Sequence, residues 1–81
     1  MIPPRQYFRL SDGRELRDLA DLYSALQTMS EEQFCHHVNE ERNDFADWLE
    51  AVFGEKAVAE NVRASQDREE IRRWVEQCLY F

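Results

Sequence analysis

Backbone breakers are nearly absent from this chain beyond its thirteenth residue. The sequence holds two Gly and two Pro. The prolines sit together at Pro3-Pro4, and past Gly13 the one remaining glycine is Gly54. Good helix formers, above all Leu, Ala, Glu, Arg and Gln, dominate residues 14–81. A stretch so long and so thinly punctuated predicts helix nearly throughout. At 81 residues the chain makes one domain, with residues 1–6 an extended N-terminal segment. A body this small buries only ~60–65% of its unfolded surface, so its five Phe, three Tyr and two Trp carry much of the core.

Hydrophobic phase and capping signals divide the helical part. Asp18 is the predicted N-cap of a helix over residues 19–28, in which Leu19, Leu22, Tyr23, Leu26 and Met29 form one stripe. Ser30-Glu31-Glu32-Gln33 reads as a capping box, with Gln33 reaching back to the Ser30 amide. The helix it opens runs to about Val38, with Phe34 and Val38 on one face. Residues 39–42 are polar and predict a turn. Asn43 or Asp44 then caps a third helix, whose stripe is Phe45, Trp48, Leu49, Val52 and Phe53, closed by Gly54 in the left-handed position. A single helix over 31–53 is the alternative, because Val38 and Phe45 are in phase. The break is preferred because Asn and Asp compete with the helix ladder for their own backbone.

A fourth helix is expected over Glu55–Ala64, facing inward through Ala57, Val58, Val62 and Asn61. The last, capped by Ser65 or Asp67, shows Ile71, Trp74, Val75, Cys78 and Leu79 on one stripe. Ahead of all these, Asp12-Gly13 between Tyr7–Leu10 and Glu15-Leu16 predicts a small hairpin, too short to hold a core of its own. The expected fold is mainly α: a compact bundle of four to five short helices with a small N-terminal β-hairpin or extended segment. Its core should contain Leu22, Leu26, Phe34, Phe45, Trp48, Leu49, Val52 and Trp74.

Charge narrows the function classes. Seventeen acidic against ten basic residues leave a formal net charge of −7. Nucleic-acid binding needs a clustered positive surface, and none is visible. The densest basic run, Arg68 to Arg73, is interleaved with Glu69 and Glu70 and reads as a solvated helix face. An anionic membrane surface is disfavoured for the same reason. No apolar run approaches the ~20 residues of a membrane span, and the first residues lack the apolar segment of a signal peptide. Cys35 and Cys78 read as buried thiols in a reducing compartment. A soluble cytoplasmic protein is expected.

Cys35, His36 and His37 are three metal-capable side chains in a row. On a helix neighbours diverge by about 100°, whereas ligand pairs sit at i and i+4, as in His36 with Glu40 or His37 with Glu41. A tetrahedral zinc site needs four ligands, and the chain has no second Cys or His pair at ligand spacing. A metal- or redox-responsive regulator built from Cys35, His36, His37 and Cys78 is therefore the alternative reading, not the first. A Cys–His nucleophile meets the same divergence and lacks a Gly-rich turn for an oxyanion hole. Asp44 and Asp47 open a helix, where acids favour the macrodipole. No catalytic residue and no cofactor are assigned. His37 is expected to be half-buried, bonding Asn43, Asp44 or a carbonyl of the turn, and to fix how two helices meet.

For contact with other molecules, the C-terminal stripe stands out. Ile71, Val75, Leu79, Tyr80 and Phe81 offer more apolar surface than a small body should cover. A homodimer or a protein partner docking there is expected.

The run of Phe8, Asp12-Gly13, Leu19, Leu22 and Leu26, then Phe34, His37-Val38, Asn43-Asp44-Phe45, Trp48-Leu49 and Val52 resembles a group of small prokaryotic helical domains of unknown function. Their shared feature is a His-Val … Asn-Asp-Phe-x-x-Trp core. The resemblance spans about residues 7–62 and leaves the last helix uncovered. It implies an accessory or interaction module without catalytic residues, acting through self-association or docking on a protein partner.

Overall fold

A computed structural model describes residues 2–80. A single 3₁₀ turn, Pro4–Gln6, leads into β1 (Phe8–Arg9) and β2 (Glu15–Leu16). Five helices follow: α1 (Leu19–Thr28), α2 (Glu31–His37), α3 (Asp44–Phe53), α4 (Lys56–Arg63) and α5 (Arg68–Tyr80). The chain is mainly helical with a small N-terminal antiparallel hairpin. The strands pair Phe8 with Leu16 and Arg9 with Glu15. Their turn closes through Leu10 N–H to the Arg14 carbonyl at 2.8 Å and Gly13 N–H to the Leu10 carbonyl at 2.9 Å. Gly13 takes φ +94°, which a side chain would resist. The Asp12 carboxylate accepts from the Arg14 amide at 3.0 Å, and that bond first of all holds its carboxyl below the usual carboxylate range.

Four of the five helix starts are capped locally by side chains; Glu55, ahead of α4, makes no such bond. Asp18 accepts from the Asp21 amide, Ser30 from the Gln33 amide and Asn43 from the Ala46 amide. Ser65 Oγ accepts from the Asp67 amide and Asp67 Oδ1 from the Glu69 amide. At the end of α3, Gly54 has φ +67°, with its N–H on the Glu50 carbonyl and that of Glu55 on the Leu49 carbonyl. Residues 31–53 are two helices. Asn43 is extended (φ −141°, ψ 91°), and Val38 and Asn43 form an isolated antiparallel bridge. The turn between them bonds within itself, Asn39 N–H to the Arg42 carbonyl and Glu41 N–H to Asn39 Oδ1, both at 2.9 Å.

α3 packs on α4, α4 on α5 and α5 on α1, while β2 joins the hairpin to α1. Leu22, Leu26, Phe45, Leu49, Ala59, Val62, Ile71 and Val75 meet at the centre with no exposed surface. Phe34 and Trp48 are also buried. Val52 and Trp74 lie only partly buried against this core, because both sit on the flanks of their helix stripes. On α4 the inward residue is Ala59 beside Val62; Ala57 and Asn61 are exposed, each two residues from Ala59 and so about half a turn away. Leu10 and Leu16 of the hairpin are buried as well, so the hairpin contributes core residues as well as covering the helices. Gln33 departs from the capping box. Its amide turns to the hairpin instead, donating to Ser11 Oγ at 3.2 Å and accepting from Arg14 Nη2 at 3.3 Å.

Candidate functional site

His37 closes α2 and is 5% exposed. Its Nδ1 lies 3.0 Å from Asp44 Oδ2 at the start of α3. Arg42 approaches the same oxygen, at 3.7 Å, and bonds the His36 carbonyl through Nη2 at 2.6 Å. With a carboxylate as acceptor Nδ1 carries a proton, and the other ring nitrogen is Nε2. That atom is buried and has no partner among the described residues. The ring lies within aromatic distance of Phe8 (5.1 Å) and Phe45 (5.5 Å). The exposed His36 ring also meets it edge-on at 4.9 Å. The geometry makes His37 a pin between α2 and α3.

Asn43, next to it, works at both ends of its amide. Oδ1 caps α3, while Nδ2 donates to the Val62 carbonyl at 2.8 Å near the end of α4. At 6% exposed, it ties two helices together from a buried position.

The metal-capable side chains do not gather at one point, although the His36 and His37 rings meet edge-on at 4.9 Å. Cys35 is exposed rather than buried, one position past Phe34 and so on the outer side of α2. With the exposed His36 it edges an open depression of about 710 Å³, which Ser11, Arg14 and Glu32 also line. Cys78 sits apart from that depression, its thiol 3.5 Å from Glu55 Oε2. Burial, then the Glu55 carboxylate, pushes that thiol up to about 11, far from the thiolate that binds metal or attacks. Among the described residues no three His, Cys, Asp or Glu side chains gather where a metal could be held. Cys35, His36, His37 and Cys78 therefore form no common site.

The C-terminal stripe is not a free face. Ile71 and Val75 are fully buried in the chain's own core, and Leu79 is partly buried against it. A domain this small has no apolar stripe to spare: α1 and α4 cover α5 from both sides. Tyr80 remains, 67% exposed, its ring edge-on to Tyr23 at 6.4 Å. Tyr23 in turn accepts from Arg72 Nη1 at 3.1 Å. Phe81 lies outside the described residues.

A more apolar concavity than the one beside Cys35 lies elsewhere. Ile2, Tyr7 and Phe53 line an open cavity of about 720 Å³, with Arg17 and Asp18 beside them. All three apolar residues are half-buried. The two charged side chains are already engaged: Arg17 Nε bonds Asp21 at 3.2 Å, and Asp18 caps α1. Next to the cavity, Trp48 donates its indole N–H to the Gln6 carbonyl at 2.8 Å, and its ring meets Phe53 edge-on at 5.0 Å. Sequence reasoning missed this place because its parts lie about forty residues apart. The available signal was the stiff Pro3-Pro4 pair beside an excess of aromatics.

No protein-family model, curated protein or solved structure matches this chain.

Proposed function

We propose that this protein is a non-catalytic docking module that binds a protein partner through the cavity between its N-terminal segment and the end of α3. The observation that carries this reading is the half-buried trio of Ile2, Tyr7 and Phe53 around about 720 Å³ of open space. An apolar floor beside paired charges is the usual anatomy of a protein-binding surface. A net charge of −7 opposes a second copy and favours a partner with a basic surface, which it would also steer into encounter. The side chains that would carry other chemistry are used in folding, as His37 and Asn43 are, or sit at an open, mainly polar surface, as Cys35 and His36 do. The free thiols Cys35 and Cys78 fit a cytoplasmic setting, which belongs to the same proposal. No helix among the described residues is long and apolar enough to cross a membrane.

Affinity capture with the full chain tests it, comparing wild type with Tyr7→Glu and Tyr80→Glu. A partner retained by wild type and Tyr80→Glu but lost with Tyr7→Glu, at unchanged thermal midpoint, supports the reading. A partner lost only with Tyr80→Glu moves the site to the end of α5 and refutes it.

A further inference from the structure

We infer that residues 2–7 form a strap that opens as a unit while the helices stay folded, uncovering the indole N–H of Trp48 and the edge of Phe53. The strap's backbone bonds are its own: Gln6 N–H to the Pro3 carbonyl at 2.9 Å and Tyr7 N–H to the Pro4 carbonyl at 3.2 Å. Pro3 and Pro4 have no N–H to offer the body. Among the described residues the strap's one hydrogen bond to the helices is Trp48 Nε1 to the Gln6 carbonyl. None of residues 4–6 is buried. Ile2 and Tyr7 are half-buried and border the open cavity, with Ile2 resting against the edge of the core.

The next residue behaves oppositely. Phe8 is clamped between Phe45 at 5.0 Å and Trp48 at 5.6 Å and is paired with Leu16. Motion is thus confined to the segment before Phe8, with the hinge at Tyr7, whose backbone is extended (φ −66°, ψ 144°). Opening breaks one hydrogen bond and exposes three half-buried side chains, Ile2, Pro3 and Tyr7, far less than unfolding the core, so it belongs to the low-energy end of local openings.

In its purpose the strap rests on the docking reading: Ile2 and Tyr7 belong to the docking cavity, so the closed strap forms the site and its opening takes the site apart. Its existence does not depend on that reading, and the experiment separates the two. Native-state hydrogen exchange on the full chain, followed by NMR in increasing low urea, reports on the Trp48 indole N–H and the Val75 amide together. We expect the indole to be at least tenfold less protected than Val75 and nearly insensitive to urea. Equal protection with equal urea dependence would overturn the strap, whether or not a partner is found to dock. Trypsin supplies a second measurement. Trp48→Phe, which removes the donor, should speed cleavage after Arg5 at least threefold relative to cleavage after Arg63. Parallel acceleration at both sites would mean global loosening and would also overturn it.

Discussion

Asn43 donates to the Val62 carbonyl across 2.8 Å while capping its own helix on the Ala46 amide. One buried amide thereby satisfies a helix start and a helix end, so its replacement exposes two faults at once. Asn43→Ala should cost about 1–3 kcal/mol, combining a lost cap of ~1 kcal/mol with the lost bond to the Val62 carbonyl, which keeps its 3.0 Å bond from the Ser65 N–H. Asn43→Asp keeps the cap but turns the donor into a charged acceptor facing the carbonyl of Val62. It should be at least as destabilising at neutral pH. Urea midpoints at constant slope are the check.

Trp48 is both core and latch. It is 7% exposed and touches Phe8 and Phe53. Trp48→Ala should cost ~3–5 kcal/mol, a large part of the stability of a domain this size. Trp74 is only partly buried and joins no aromatic pair among the described residues, so Trp74→Ala should cost clearly less. Thermal midpoints of the two variants decide it, and equal losses would contradict the asymmetry.

The two thiols should differ in reactivity. Cys78 is pushed up to about 11 by burial and by Glu55, whereas Cys35 is exposed. At pH 8 in the folded protein a thiol reagent should modify Cys35 first and Cys78 only on unfolding. The linked stability effect has a definite sign. A thiol raised from 9.0 to about 11 on folding holds its proton where the unfolded chain has lost it. Its contribution is complete below pH 9 and fades as pH rises through 11. The stability difference between wild type and Cys78→Ala should therefore shrink across that window and stay flat below it.

Gly54 is held at φ +67° with open space where a Cβ would stand. Gly54→Ala should cost about 1–2 kcal/mol from backbone strain alone, and Gly54→Asn less, since Asn tolerates this conformation. A Gly54→Ala variant of unchanged stability would contradict the strain.

What could be read from the sequence was what local chemistry decides. The caps at Asp18, Ser30 and Asn43, the stop at Gly54 and the turn at Asp12-Gly13 each involve partners a few residues apart. The contact of His37 with Asp44 was within reach for the same reason. The errors share the opposite cause. Gln33 was assigned to Ser30, three residues back, but its partner Ser11 is twenty-two residues away. Ile71 and Val75 show a stripe that looks the same whether α1 and α4 or another molecule covers it. The bond from Trp48 to Gln6 spans forty-two residues, and no periodicity points to it. The cavity was illegible because it is the space left between three elements, a property of packing rather than of any one segment.

Docking at Ile2, Tyr7 and Phe53 is best tested by NMR of the isotope-labelled full chain, titrated with the purified partner that affinity capture delivers. Shifts are expected to concentrate at Ile2, Tyr7, Phe53 and the Trp48 indole, with α5 beyond Val75 unmoved. Shifts confined to Tyr23, Tyr80 and their surroundings, with the N-terminal cavity silent, would contradict it.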